Sequence, residues 1–278
     1  MQNHVYILSL YYIIMQIDIS LVKQLRDATF APLGDCKNAL VEANGDLELA
    51  QEILRKKGIA KAGKKADRET NEGLIKTHND GSRTYVVKLL CETDFVAKND
   101  SFLGLFDKIF DVLKTVSGDV ESQDDLPADV VEKINNLIAE GIATTGENLK
   151  LGGVHVTGSK VYAYSHPGDK VVSLVYHNGD DNVAKELALQ IAALNPDYLS
   201  FDEVPADEKA KLEAQFTEEL KAAGKPETMI ANIVKGKVDK AFADNVLLEQ
   251  EYIRDGGKKV KEILPAGFEI TKFYRFSV

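Results

Sequence analysis

Hydrophobic residues recur at helical spacing in three short runs between residues 19 and 58. Each run follows a small polar residue that can accept hydrogen bonds from the first free amides of a helix, and the three predicted caps are Ser20, Asp35 and Asp46. Glycines are expected to end the helices, the last of them at Gly58. The pattern therefore predicts a three-helix module over residues 15–58. A module of this size buries little surface alone, which favours a role in binding.

A basic segment follows the module in residues 59–72, with cations that include Lys61, Lys64, Lys65 and Arg68. Two interpretations are open. The segment is either a solvated linker or a positive stretch that lies against an acidic surface of a partner.

From residue 73 onwards the hydrophobic pattern changes to the period of two that is typical of strands. Two such segments flank a turn at residues 79–81, and an amphipathic helix follows near residues 101–116, with Asn99 or Asp100 as its cap. The same order returns 87 positions later, because residues 74–99 align without a gap with residues 161–186. The core is therefore predicted to be duplicated, each half a hairpin followed by a helix.

A highly charged helical stretch interrupts the second half of the core. Its apolar positions face each other across a break at Gly224 and Pro226; the predicted facing residues are Leu212, Phe216 and Leu220 on one side and Met229, Ile233 and Val238 on the other. The core halves are assigned to residues 73–158 and to residues 159–198 with 248–278, and the helical hairpin to residues 199–247.

The chain is expected to close with a short helix, residues 258–264, and a strand. The residues predicted to share one face of that strand are Phe268, Ile270, Tyr274, Phe276 and Val278. Together these elements predict an α+β fold: an N-terminal three-helix module, a duplicated hairpin-plus-helix core and a protruding antiparallel helical hairpin.

Phe95 stands in an unusual place, beside Asp94 in the turn between a strand and a helix. It is either a core residue that points inwards or a side chain directed at a partner. The second copy of the repeat keeps Val-Ala-Lys at residues 183–185 but has Asn182 where the first copy has Phe95. Because the repeat folds without an aromatic residue there, the comparison favours the partner interpretation.

Composition narrows the function further. The 278 residues carry a net charge of −10, which argues against binding nucleic acid by neutralising phosphates. Two cysteines, Cys36 and Cys91, form no disulfide framework and fit a reducing compartment. The apolar run from Val5 to Met15 is too short to span a bilayer, and we hypothesise that Met15 is the true start and residues 1–14 are upstream translation. The alternative is a membrane-surface anchor.

No constellation of residues predicts covalent chemistry or a metal site. The sequence lacks HExxH, CxxC and GxSxG, and its GVHVTGSK segment has the wrong order for a phosphate-binding loop. His155, His166 and His177 lie eleven residues apart, in strands or turns, and are expected to be surface or satisfied residues. Glu92 and Asp94 have no second acid or base to work with. We therefore expect neither an enzyme nor a cofactor-binding protein.

Three segments, taken in order, resemble a known family: DCKNALVEANGDLELAQEILRKKG, KAGKKADRETNEG and CETDFVAKND. With the duplicated core and the GKP-tipped hairpin, the chain from Gln16 to its end is similar to bacterial elongation factor Ts, the nucleotide exchange factor of elongation factor Tu. The resemblance implies a ubiquitin-associated-like module that grips the partner, and a cytoplasmic protein that uses no nucleic acid, membrane or cofactor of its own.

The resemblance also implies the site. Thr93, Asp94, Phe95 and Val96 would enter elongation factor Tu near its magnesium and phosphate region, so that GDP leaves. The other partner contacts implied are Leu33, Cys36, Lys65, Thr145, Gly146 and His166. The helical hairpin would reach elongation factor Tu or a second copy of the chain.

Two departures from the family pattern stand out. The segment TFAPLGDC, residues 29–36, replaces the usual TGAGMMDC, so a contact made by methionines is expected to be smaller here. The chain stops at RFSV, without a further C-terminal helix found in some members. An alternative function is an adaptor whose helical module binds ubiquitin-like or nascent-chain ligands. A hydrolase or kinase function has the least support, because the sequence shows no paired nucleophile and base.

Overall fold

The computed structural model describes residues 18–29, 31–63 and 65–278, with the side chains of residues 59, 61 and 62 left aside. The chain is an α+β protein, and it divides into two compact units between Gly158 and Ser159. Residues 1–14 and Phe30, on which two of the sequence expectations depend, lie outside the described part. Within that part, none of the helices has both the length and the apolar character needed to cross a bilayer.

The first unit begins with three helices: α1 (Ile19–Thr29), α2 (Leu33–Glu42) and α3 (Leu47–Gly63). Their shared core is built from Leu25, Cys36, Leu40 and Ala50, all fully buried. The three-helix prediction is thus confirmed for the described residues.

Two of the three predicted caps are wrong. Asp18, rather than Ser20, accepts the first hydrogen bond of α1, from the Ser20 amide at 2.9 Å. Helix α2 starts after Pro32, and Asp35 lies inside its first turn without capping it. The third is confirmed, because the Asp46 carboxylate accepts from the Leu49 amide at 3.0 Å. Pro32 occupies the N-cap position of α2, so Asp35 is the third residue of the helix rather than the residue before it.

The rest of the first unit is a three-stranded antiparallel sheet covered by helices. In chain order its elements are β1 (Glu72–Asn79), β2 (Thr84–Cys91), α4 (Asp94–Ala97), α5 (Asp100–Leu113), a 3-10 turn (Gln123–Asp125), α6 (Ala128–Thr145) and β3 (Leu149–Thr157). The strand order is β1-β2-β3. Apolar side chains of β2, α5 and α6 form the core, among them Tyr85, Val87, Phe102, Ile109 and Ile134.

The second unit has the same kind of sheet. Its elements are β4 (Val161–Ser165), β5 (Val171–His177), α7 (Asp181–Leu194), a 3-10 turn (Phe201–Glu203), α8 (Ala206–Ala222), α9 (Glu227–Phe242), a 3-10 turn (Leu247–Glu249), β6 (Glu251–Tyr252), β7 (Asp255–Lys259), α10 (Val260–Ile263) and β8 (Ile270–Ser277). The strand order β4-β5-β8 corresponds to the order β1-β2-β3 of the first unit, so each half is a hairpin plus one distant strand.

The duplicated order is confirmed, and the two hairpins share the same pairing register, but their helices do not cover the same face. Leu74 pairs with Leu89 and, 87 positions later, Val161 pairs with Tyr176. The helices nevertheless cover opposite faces of the two hairpins: Val87 lies in the core under α5, whereas Ser173, the equivalent of Val86, donates to the Ala188 carbonyl of α7 at 2.7 Å. Side chains alternate along a strand, so residues 86 and 173 hold the same register position while neighbouring positions of the two hairpins face their helices.

Helices α8 and α9 form the predicted antiparallel hairpin, with Gly224 in the left-handed conformation at its turn. The predicted inward position of Met229 is wrong, because its side chain is 54% exposed. The inward position of Val238 is confirmed, and Ile230 and Val234 are buried with it at the four-residue spacing that keeps side chains on one helix face.

The C-terminal prediction is corrected in two places. Residues 258 and 259 belong to β7, which pairs with β6, so the helix is limited to Val260–Ile263. The predicted common face of the last strand is also wrong: Ile270 and Phe273 pack against the core, whereas Tyr274 stacks on Phe276 at 6.1 Å. A register shift opposite residues 176 and 177 explains this, since it changes which residues share a face.

Gly58 does not end α3; the helix continues to Gly63, which shortens the predicted linker of residues 59–72. The glycine serves packing, because a Cβ at Gly58 would lie 2.9 Å from the Ala143 Cβ and 3.3 Å from the Ala139 carbonyl oxygen of α6. Because Gly58 has no Cβ, α3 can lie close to α6.

We expect Gly58→Ala to lower the free energy of unfolding by about 1–3 kcal/mol, because α3 and α6 must separate to admit the methyl group. Gly104→Ala is the matched control: that glycine also lies within a helix, but a Cβ there meets nothing within 4 Å. It should be neutral or stabilise by up to about 1 kcal/mol. Urea denaturation measures both, and equal effects would contradict the close-approach explanation.

Candidate functional site

The segment between β2 and α5 contains the predicted exchange residues and is called here the 93–96 turn. Thr93 is the N-cap of α4: its backbone is extended, and its Oγ1 accepts from the Val96 amide at 3.3 Å. Ala97 is buried beneath the turn, and Val96 packs against the core beside it. The turn is therefore anchored on its Val-Ala side, which the second half of the chain shares.

Phe95 points outward from this anchored turn, with 81% of its surface exposed. The interpretation of Phe95 as a core residue is therefore wrong. Burying a phenylalanine side chain is worth about 1.5–3 kcal/mol, which this chain forgoes on its own. An exposed aromatic residue at a fixed turn is a side chain available to a partner.

Asp94 lies beside Phe95 and pairs with Lys98 one helical turn later, with 2.7 Å between Oδ2 and Nζ. The hydrogen bond that Lys98 donates to the Asp94 carboxylate raises the pKa of Lys98. Both side chains are exposed to water, so the pair adds little to stability.

A loop between α6 and β3, residues 146–148, holds the 93–96 turn from the side. The Glu147 carboxylate accepts from the Thr93 amide at 3.0 Å and from the Thr93 Oγ1 at 2.7 Å. In return, Glu92 accepts from the Asn148 amide at 2.6 Å. Gly146 begins the loop with φ of +78°, a conformation that favours glycine.

The segment after α3 contacts the same loop. Lys65 donates to the Gly146 carbonyl, and Asn148 Nδ2 donates to the Arg68 carbonyl at 2.8 Å. Arg68 also reaches Glu92, with 3.4 Å between nitrogen and oxygen. Neither interpretation of the basic segment included these contacts. Lys65 and Arg68, the cations of the segment whose side chains the structure describes, bind to atoms of the chain itself. The predicted residues Lys65, Gly146 and Thr93 are thereby brought together around one loop.

The remaining predicted contacts lie elsewhere. Leu33 is 58% exposed at the start of α2, and His166 is exposed at the tip of the β4–β5 hairpin. Thr145 is half-buried and donates to the Gly141 carbonyl at 2.9 Å. The expectation that Cys36 contacts a partner is corrected. Cys36 is fully buried among the three helices, and burial raises the pKa of its thiol. A side chain so enclosed cannot touch a partner directly.

Two of the three histidines named from the sequence lie inside the protein. His155 and His177 are buried, and His177 stacks on Phe268 with ring centroids 5.6 Å apart. Burial lowers the pKa of His177, with the Lys160 cation acting in the same direction. Across the described residues, no three His, Cys, Asp or Glu side chains gather in a way that would hold a metal ion.

Sequence reasoning missed Glu147 and Asn148, which make the contacts between the loop and the turn. Their signal was weak. The glycine at residue 146 is typical of a turn, but no feature of the sequence pairs Glu147 or Asn148 with a turn more than fifty residues earlier. Only the alignment of β3 beside β2 brings the two together.

Comparison with known proteins agrees with this geometry. A sequence model of the family described as "Elongation factor TS" matches residues 92–278, from the start of the 93–96 turn region onwards. The chain belongs to the elongation factor Ts family. Elongation factor Ts of Hydrogenobaculum sp. (strain Y04AAS1) is 41% identical over 264 residues, which cover 92% of this chain and 97% of the relative.

Other elongation factor Ts relatives show the same extent. That of Halothermothrix orenii is 38% identical, with 95% of this chain and 93% of the relative covered. That of Aquifex aeolicus is 37% identical, with 95% and 98% covered. The elongation factor Ts likeness therefore runs across both compact units rather than being confined to the motif of the turn.

We expect neither Cys36 nor Cys91 to react with a thiol reagent in the native protein, since both are fully buried. Leu33→Cys supplies the control, because it adds an exposed thiol to the same module and should react at the rate of a free cysteine. The time course of absorbance with an aromatic disulfide reagent measures this. Rapid native labelling of Cys36 would restore the direct-contact hypothesis.

Proposed function

We propose that this chain binds elongation factor Tu carrying GDP, accelerates release of the GDP and so allows GTP to take its place. One observation carries the proposal beyond family membership: Phe95 is 81% exposed on a turn that is held from both sides. A large aromatic side chain in that position is suited to enter a pocket of another protein.

The proposed mechanism is one of coupled binding. Factor and nucleotide must weaken each other's binding to the partner by the same factor, since the linkage is reciprocal. A coupling of about 3 kcal/mol loosens GDP about 150-fold, and a well-fitted aromatic side chain contributes on that scale. In the proposed complex the 93–96 turn enters near the magnesium and phosphate region, and Phe95 is the wedge that displaces the elements holding them.

Asp94 adds an electrostatic contribution to the wedge. Its carboxylate lies next to Phe95 and would enter the same region, where the nucleotide phosphates are also negative. Like charges a few ångströms apart repel most strongly where water is excluded. Asp94 therefore opposes the bound nucleotide without any covalent step, and the chain needs no cofactor beyond the GDP and magnesium of its partner.

Other surfaces enlarge the proposed contact. Leu33 offers an exposed aliphatic side chain on the three-helix module, and His166 offers an exposed imidazole at a hairpin tip. The α8–α9 hairpin, with Met229 exposed, would reach the same partner or a second copy of the chain. We place the activity in the cytoplasm, where translation takes place.

The test is GDP release from elongation factor Tu, followed with a fluorescent GDP in stopped flow. Phe95→Ala should slow the accelerated release at least tenfold, because truncating a central aromatic contact costs about 1.4 kcal/mol or more. Its free energy of unfolding should change by less than about 0.5 kcal/mol, since the side chain is exposed.

Phe102→Ala is the matched control for stability. It makes the same truncation at a fully buried phenylalanine in the same unit and should lose about 3–5 kcal/mol. If Phe95→Ala instead behaves like Phe102→Ala and leaves exchange per folded molecule intact, the wedge role is wrong.

A further inference from the structure

We propose that Glu147 is a positioning residue for nucleotide exchange, an inference that rests on the proposed function and extends it to a residue outside the inserted turn. By holding Thr93, Glu147 fixes the backbone that presents Phe95. The first step is that the turn cannot hold itself. Helix α4 has only four residues, too few to offset the unfavourable nucleation of a helix.

Helix α4 does not continue into the longer helix α5 that follows it. Lys98 is its C-cap, and Asn99 at once caps the next helix by accepting from the Ser101 amide at 2.8 Å. The turn carrying Phe95 is therefore separated from α5. Its conformation must be set by the Thr93 cap, by burial of Ala97 and by contacts from outside.

Glu147 supplies the outside contact with both of its oxygens. One oxygen accepts from the Thr93 amide at 3.0 Å and the other from the Thr93 hydroxyl at 2.7 Å. Hydrogen bonds to an ionised carboxylate are shorter and stronger than neutral ones. The two bonds fix the position of Thr93 in two directions at once.

The carboxylate also orients the cap. A threonine hydroxyl has a single hydrogen, and Thr93 donates it to the Glu147 carboxylate. The lone pairs of Oγ1 therefore remain available to accept from the Val96 amide at 3.3 Å. Without Glu147 the hydroxyl is free to rotate and donate to water. The capping bond that closes α4 across Phe95 then weakens.

The loop that carries Glu147 is itself held by the turn region. Glu92 accepts from the Asn148 amide at 2.6 Å, so each segment contributes one glutamate that accepts an amide hydrogen of the other. Both carboxylates are partly shielded from water; the Glu92 side chain is 23% exposed. The reciprocal arrangement makes Glu147 a fixed support rather than a mobile surface side chain.

The first experiment needs no partner. The sequence contains no tryptophan, so Phe95→Trp introduces a single indole as a reporter of motion at the turn. Adding Glu147→Ala should lower the fluorescence anisotropy of that indole in the free protein. Asp125→Ala is the matched control, because Asp125 likewise accepts from a backbone amide and a hydroxyl, both of Ser122, at a different turn. It should leave the anisotropy unchanged.

The second experiment is a double-mutant cycle on the maximal rate of GDP release at saturating factor. Glu147→Ala should reduce this rate about tenfold, equivalent to about 1.4 kcal/mol. The half-saturating concentration should change less than about twofold, since a positioning defect acts within the complex. In the Phe95→Ala background, Glu147→Ala should have almost no further effect.

A second variant keeps the test decisive if Glu147→Ala does not fold. Thr93→Val removes only the hydroxyl and should also slow release without adding to the effect of Phe95→Ala. Unchanged anisotropy, or effects that simply add to those of Phe95→Ala, would overturn the positioning role while leaving the wedge intact. No effect of Phe95→Ala alone would instead refute the proposed wedge, and the anisotropy result would still report on Glu147.

Discussion

Two carboxylates that accept amide hydrogens across one loop-to-turn contact hold the 93–96 turn in place. Glu147 accepts from Thr93, and Glu92 accepts from Asn148, so the turn and the α6–β3 loop order each other. Each bond removes a buried donor that would otherwise lack a partner. The exposed Phe95 depends on this contact, because a side chain that water surrounds receives no support from packing.

The two halves of the chain show what is special about the first. In the second half Asp180 caps α7, a continuous helix of 14 residues that supports itself. In the first half the corresponding helix is broken after four residues and capped again at Asn99. The position of Phe95 is exposed in both halves, since Asn182 at the equivalent position of α7 is exposed too. The first half differs in having an aromatic side chain there, on a helix too short to support itself.

Periodicity and caps predict much of this fold, because they act over a few residues. Three terminal helices, the first hairpin and the Asn99 cap all follow from local chemistry. Contacts between distant segments do not: Gly58 was predicted to end a helix because nothing local indicates the approach of Ala143. The face that each hairpin turns towards its helix was equally hidden, because both hairpins have the same register and differ only in where the helix packs.

The candidate site shows the same division. The exposure of Phe95 was predictable from the missing aromatic residue in the second copy. Cys36 was not a failure of the pattern: its helical spacing with Ala39 and Leu40 indicates a core, and the expectation of a partner contact came from resemblance alone. Where spacing and resemblance disagreed, spacing was right, because burial is decided by the local helix face. Neither spacing nor resemblance could identify Glu147, because its contact with Thr93 results from the pairing of β3 with β2.

The loop also joins the three-helix module to the turn. Helix α3 packs on α6 through Gly58, and Lys65 and Asn148 tie the following segment to the loop at the end of α6. A flexible linker would leave the orientation of the module to be fixed on binding, with a loss of conformational entropy at that moment. Here this entropy is lost on folding instead. In the proposed complex, binding by the module and entry of Phe95 would therefore occur as one event, with more of the interaction free energy left to oppose the nucleotide.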